Sequence, residues 1–374
     1  MTTPPPAEIG MAMEDVDTPA LLLDLDAFDR NLKKMADAVA GTGVKLRPHA
    51  KTHKCAVIAM RQMALGAVGM CCQKVGEAEA MVNGGVPDVY VSNEVVGERK
   101  WARLAALATR AKVATCVDDP MQVAGLSRAA AEFGVTLDVL VELDVGGQRC
   151  GVEPGEPVVR LARAVADAKG LRFTGIQAYH GSAQHMRGPA ERAEAIQSAL
   201  ARVNESREAL QAAGLPCEMI TGAGTGTFRH ELGSGVYNEL QVGSYAFMDA
   251  DYAANEVDTG RSTHEFEHSL FVYAQIMSHP APDRAVVDAG LKAVSVDSGM
   301  PVVHGLRGVT FSRASDEHGK LLLAPDADAV KIGDKVRLIP GHCDPTINLY
   351  DWYVGVRNGR VEALWPITAR GAIR

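Results

Sequence analysis

Between about residues 26 and 250, short apolar runs rich in β-branched residues alternate with longer Ala-, Leu-, Glu- and Arg-rich segments of helical spacing. That alternation is the pattern of βα units building a parallel sheet. Eight runs read as strands: 44–46, 68–72, 88–92, 112–117, 137–143, 173–179, 218–221 and 241–247. Eight fit a closed (βα)8 barrel, with a doubly wound open sheet as the alternative. In a barrel, chemistry belongs to the segments leaving the C-terminal strand ends, so polar residues there become candidates. After about Tyr252 the pattern changes to HSLFVYAQIMS, RAVVDAG, DKVRLIP and WYVGVRNGRVEALW, strand-like runs with Gly and Asp turns and no long helical period. A barrel over 25–252 and a β domain over 253–374 are expected, the latter joined by an N-terminal strand over 16–24.

Composition adds exclusions. The 374 residues, 47% of them hydrophobic, can bury a large core without a staple. A net charge of −8 opposes the counterion release that drives nucleic-acid binding, and no Lys/Arg block appears. No apolar run approaches the roughly 18 residues that span a bilayer, and MTTPPPAEIG lacks signal-peptide features, so a cytoplasmic protein is expected. Seven cysteines are scattered without metal-finger spacing, mostly in apolar runs, and are expected as buried reduced thiols.

Five segments carry candidate chemistry. VKLRPHAKTHK ends a strand and crowds His49, Lys51, His53 and Lys54 together. Neighbouring cations destabilise a lysine ammonium and free its amine for Schiff-base formation. In LVELDVGGQRCG a strand runs to Asp144, opens through Gly146 and Gly147 and presents Arg149, suited to a phenolate or carboxylate. GIQAYHGSAQH delivers Tyr179, His180 and His185, which suit proton transfer near neutral pH. ITGAGTGTF has the composition of a phosphate cradle, and QVGSYAFMDADY adds Gly243, Ser244 and Tyr245 after the last strand. RLIPGHCDPTIN puts His342 and Asp344 two residues apart, on one face of an extended chain, where they could grip a divalent metal. Cys343 should then face the other way.

Together these segments resemble the fold-type III pyridoxal-phosphate enzymes, and within them the D-threonine aldolase and D-serine dehydratase group, over nearly the whole chain. The resemblance implies that Lys51 in RPHAKTHK is the Schiff-base lysine and that Arg149 contacts the cofactor ring oxygen. It implies Tyr179 beside the ring and His185 as the base near the reacting hydroxyl. Thr221, Gly222, Gly224, Thr225, Gly226, Gly243 and Ser244 fall on its phosphate-binding loops, with Ala223 where the group more often has glycine. Dehydratases of the group show His-x-Cys, whereas D-threonine and 3-hydroxy-D-aspartate aldolases show His-x-Asp, which is what His342-Cys343-Asp344 spells. The harder carboxylate favours Mn or Mg over zinc.

The implied activity is therefore retro-aldol cleavage of β-hydroxy-D-amino acids to glycine and an aldehyde by a D-threonine aldolase. A 3-hydroxy-D-aspartate aldolase, giving glyoxylate, is the alternative, followed by a D-serine or 3-hydroxyaspartate dehydratase. A non-catalytic pyridoxal-phosphate carrier is the rival from another class, and lacks the β domain. The resemblance also implies a homodimer with its site between the barrel of one subunit and the β domain of its partner.

Overall fold

A computed structural model describes residues 3–257 and 265–374, so residues 258–264, at the start of the expected second domain, lie outside the described residues. The chain divides into two compact units, one of Met35–Lys51, Ala56–Gly243 and Gly371–Arg374, the other of Met1–Lys34, Thr52–Cys55 and Ser244–Arg370. The first strand, β1 (Ala20–Asp24), belongs to the second of these, and α1 (Leu25–Val39) follows it.

The larger unit is an eight-stranded parallel sheet of β2 (Lys45–Leu46), β3 (Met70–Cys72), β4 (Asp88–Glu94), β5 (Lys112–Val117), β6 (Leu137–Glu142), β7 (Leu171–Gln177), β8 (Met219–Gly222) and β9 (Glu239–Leu240). Helices α2 (Ala56–Ala64), α3 (Val75–Asn83), α4 (Glu98–Leu107), α5 (Pro120–Phe133), α6 (Glu156–Asp167) and α7 (Pro189–Ala212) alternate with the strands up to β8, and α8 (Phe228–Gly233) precedes β9. The boundaries of α5 are written locally: Asp119 caps the Met121 N–H at 2.7 Å, Pro120 opens the first turn, and Gly134 closes it in the left-handed region. Strand β6 is buried along its whole length, as expected of a parallel strand covered on both faces.

Around the sheet the order is β2, β9, β8, β7, β6, β5, β4, β3. Three backbone hydrogen bonds close the ring between its ends: Val68 N to Leu46 O at 2.9 Å, Cys71 N to Pro48 O at 2.8 Å and Ala50 N to Cys71 O at 2.7 Å. Cys71, Tyr90, Ala114, Cys116 and Leu140 pack together in a buried cluster contributed by successive strands. Several polar groups inside pair with one another: Arg47, 3% exposed, reaches Asp88 at 2.6 Å and Glu239 at 2.9 Å, and Tyr90 donates to Gln177 at 2.9 Å.

The last barrel strand differs from expectation. The apolar run 241–247 was expected to be extended, yet the ladder is confined to β9, and Ser244–Ala246 winds into a 3-10 turn. Backbone pairing continues as far as Val242, whose carbonyl accepts from His49 N at 3.0 Å, and the rest of the run is buried as a turn. Burial alone made that segment apolar, and an apolar run too short for a helix cannot distinguish a strand from a buried turn.

The other unit is a mixed sheet of β1 with β10 (Leu270–Ala281), β11 (Arg284–Val287), β12 (Val302–His304), β13 (Val309–Ala314), β14 (Gly319–Leu323), β15 (Lys335–Ile339), β16 (Trp352–Arg357) and β17 (Arg360–Pro366). β1 lies antiparallel to β10 and parallel to β16. Its Leu22 packs with Phe271, Tyr273, Val354 and Val361 in a buried cluster. All seven cysteines are free thiols, five buried and two, Cys150 and Cys217, half-buried. Among the described residues no helix is long and apolar enough to cross a membrane.

Candidate active site

Because the eight barrel strands are parallel, the segments leaving their C-terminal ends emerge on one rim. Lys51 sits there, half-buried, on the segment after β2, and its N–H donates to His49 Nδ1 at 3.3 Å. His49 is held from its other side by Gln73 Oε1 at 3.0 Å and Ser92 Oγ at 3.3 Å. The loop carrying the lysine is thus anchored on both flanking strands, β9 through Val242 and β3 through Cys71.

Arg149, Tyr179 and His185 come together around a cavity of about 300 Å³, lined also by Glu142, Gly181 and Ser182. The Arg149 guanidinium lies over the Tyr179 ring, 5.4 Å from its centroid. The loop presenting Arg149 is shaped by Asp144, whose carboxylate accepts from Gly146 N at 2.8 Å and Gln148 N at 3.1 Å. His185 ends the 3-10 turn Ser182–His185 that follows β7 and is exposed to the cavity. His180 is buried instead, and burial lowers its pKa against the opposing charge of Asp144.

The glycine loop leaves β8 at Gly222. A Cβ on Gly222 would lie 2.4 Å from the Ala178 carbonyl, and one on Gly224 would lie 2.4 Å from Gln184 Oε1, so neither position accepts a side chain. Ala223 takes the left-handed φ of 69°, the physical reason glycine suits that position. Gln184 Oε1 accepts from Gly226 N at 3.0 Å and backs the loop. The Thr221 hydroxyl is turned inward, donating to Glu239 at 3.2 Å and accepting from Gln241 at 2.8 Å, so only its backbone faces the loop. Thr225 is buried. Thr227 donates to Glu231 Oε1 at 2.7 Å, and burial pushes the Glu231 carboxyl up to about 7. Gly243 follows β9 on the same rim, whereas Ser244 opens the 3-10 turn of the other unit. An arginine beside an aromatic ring, together with a glycine-rich loop packed closely at its back and leaving a strand end, fits a phosphorylated pyridine such as pyridoxal phosphate.

In the mixed-sheet unit, His342 and Asp344 do not sit on an extended strand as expected. Following β15, His342 caps the short helix Cys343–Ile347, and Asp344 lies in its first turn. The helix starts here because Pro345 fits a first turn and Thr346 Oγ1 bonds the His342 carbonyl at 2.8 Å. Cys343 points away from any ligand position, buried, with its thiol 3.5 Å from the Met248 carbonyl. His342 Nδ1 lies 2.8 Å from Asp297 Oδ2, which leaves Nε2 as the nitrogen for a metal. Burial works against ionisation of Asp297, but hydrogen bonds from His342, Ser295 and Ser298 outweigh it and hold its carboxyl below the usual range. Imidazole plus a hard carboxylate, with open positions for water and substrate oxygens, fits a divalent cation.

Three contributors escaped the sequence reading. Asp297 is 45 positions from His342 in a segment without periodicity, and no sequence signal could have found it. Gln184 and Glu142 lie inside quoted motifs, but only the fold shows one backing the glycine loop and the other lining the cavity.

A parallel barrel with a lysine, an arginine and a glycine cradle on its rim, together with a separate mixed sheet, defines the alanine-racemase-like class. Residues 23–251 match the family described as alanine racemase, N-terminal domain, and residues 269–356 match a serine dehydratase domain. The chain belongs to that alanine racemase family, within its D-threonine aldolase and D-serine dehydratase group. It is 50% identical to a 3-hydroxy-D-aspartate aldolase of Paracoccus denitrificans, over 98% of this chain and 95% of that one. It is 49% identical to a D-threonine aldolase of an Arthrobacter species, over 99% and 97% respectively. A crystal structure of D-threonine aldolase from Filomicrobium marinum, 53% identical, superimposes with a TM-score of 0.96 over 99% of this chain and 100% of that one.

Proposed function

We propose that this protein is a pyridoxal-phosphate- and divalent-metal-dependent D-threonine aldolase that cleaves β-hydroxy-D-amino acids to glycine and an aldehyde. The observation that carries this reading is the full-length likeness, in sequence and in fold, to a solved D-threonine aldolase. The same likeness to a 3-hydroxy-D-aspartate aldolase keeps that activity as the second reading. The His342-x-Asp344 pair supports an aldolase over a dehydratase.

In this reading residues 25–252 form the cofactor-binding barrel and 253–374, with strand 16–24, the β domain. Lys51 binds the cofactor aldehyde, and the backbone of Thr221, Gly222, Gly224, Thr225, Gly226, Gly243 and Ser244 receives the phosphate. Arg149 and Tyr179 orient the ring. Pyridoxal phosphate supplies an electron sink for the bond that breaks. His342 and Asp344 hold the divalent ion, Mn or Mg, which supplies Lewis acidity at the substrate hydroxyl. His185 accepts the β-hydroxyl proton as the Cα–Cβ bond breaks, and a proton returned to Cα completes glycine. The protein is read as a cytoplasmic homodimer, the free thiols fitting a reducing compartment.

The test is glycine release by purified holoenzyme with added Mn from D-threonine, 3-hydroxy-D-aspartate and D-serine, with an EDTA-treated control. Glycine from a hydroxy-D-amino acid, lost with EDTA and restored by Mn, is expected. Pyruvate from D-serine without glycine from the others would make the enzyme a dehydratase.

A further inference from the structure

Alternate side chains of a barrel strand face the interior. That parity carries the interior positions Tyr90, Cys116 and Leu140 upward to Glu94, Asp118 and Glu142, a top layer at the C-terminal ends of β4, β5 and β6. The side-chain donor atoms of Glu94, Cys116 and Glu142 lie within 4.8 Å of one another, as do those of Glu94, Asp118 and Cys150. Asp118 is already committed to Gly151 N at 3.1 Å and Gln122 Nε2 at 2.9 Å. Glu142, 4% exposed, has a buried Oε2 without a hydrogen-bond partner, and so does Glu94 at Oε1, while their other interactions run to Cys116 and Cys150 respectively. Glu142 and Arg149 line the same cavity.

We propose that Glu94 and Glu142 share one proton and form the positioning anion for Arg149, fixing its guanidinium towards the cofactor ring oxygen. The inference rests on Arg149 being the cofactor contact assigned above. Two carboxyls this close and this buried do not both ionise. Burial is the largest push upward on both, joined by the Asp118 charge at Glu94 and the Glu94 charge at Glu142, which stands well above the usual carboxylate range, while the Arg149 charge pulls both down. The pair then carries one negative charge beside the Arg149 guanidinium, with the Asp118 carboxyl group, held by Gly151 and Gln122, next to it. A divalent cation on the same donors would have to displace the shared proton and that of Cys116, whose thiol burial pushes far up, and would sit beside Arg149. The proton is the better occupant.

The experiment compares Glu142→Gln, Glu94→Gln, the double variant and Arg149→Lys as holoenzymes. It reads kcat, KM, the pH midpoint of the bound cofactor's visible band, and the melting temperature. For Glu142→Gln, kcat falls at least about tenfold with KM within about threefold, and the midpoint moves by about half a pH unit or more. The double variant is no worse than about threefold below the single one, because the two carboxyls act as a unit. If Glu142→Gln fails to fold, the half-buried Glu94 carries the same readouts. A loss of melting temperature alone, with midpoint and kcat unmoved, reduces the pair to a structural role and overturns the proposal. So does one equivalent of metal in the purified protein that Glu142→Gln loses and His342→Ala retains. If Arg149→Lys itself leaves band and kcat untouched, the assignment of Arg149 has failed; if it moves them and Glu142→Gln does not, only the positioning pair has failed.

Discussion

His185 stands on the cavity wall with Arg149 and Tyr179, at the end of the 3-10 turn that follows β7. General-base catalysis is worth about 10²–10⁴-fold, so His185→Ala should lower kcat by at least about 100-fold while cofactor absorbance persists. Turnover within a few-fold of wild type would remove the histidine from the mechanism. Asp297 makes a different prediction. Its hold on His342 Nδ1 orients the imidazole, and loss of such a partner weakens metal affinity about 10–100-fold, so titration of Asp297→Asn with Mn should show that loss. Unchanged affinity would make Asp297 a surface acid. The placement of Lys51, Arg149 and Tyr179 at strand ends was legible in the sequence because each follows a strand within a short motif. Asp297 and Glu142 were not, because their roles are made by chain-distant contacts that leave no local pattern.

At the scale of elements, the loop between β8 and β9 combines a cradle with a buried acid. Glu231 on α8 is 1% exposed and its carboxyl is raised to about 7 by burial, relieved in part by the Thr227 hydroxyl. The folded state therefore binds this proton more tightly than the unfolded chain does. Its contribution is fully present below the unfolded value near 4.5 and is lost as pH rises to about 7, after which the curve is flat. At 1.36 kcal/mol per unit the loss is on the order of 3 kcal/mol. Glu231→Gln should remove that slope and melt higher than wild type at pH 8, with the difference closing towards pH 4.5. A wild-type melting curve flat between those values would contradict it. Most strands were readable because parallel strands are continuously apolar. The failures came where apolar character had another cause: 241–247 is a buried turn, and His342 with Asp344 is a helix start that a two-residue spacing cannot tell from a strand.

At the scale of the molecule, the two sheets carry different halves of the chemistry. The parallel-sheet unit holds the residues assigned to the cofactor apart from Ser244, and the mixed-sheet unit holds those assigned to the metal. A homodimer that completes each site with its partner should run as a dimer in light scattering and lose activity when diluted to monomer; a fully active monomer would refute shared sites. The change near Tyr252 from a βα period to strand-like runs with Gly and Asp turns made the two-sheet plan legible, whereas subunit pairing leaves no mark on one chain's pattern.

The ring of the parallel sheet is joined between the β2 and β3 segments by three backbone hydrogen bonds, and Lys51 stands one residue past the last of them. By the role proposed for Lys51, that seam is also where the cofactor would attach, so occupancy and local unfolding would be coupled there. On that reading cofactor loss should loosen this seam first, and a protein that has shed its cofactor becomes vulnerable to proteolytic attack beside Lys51.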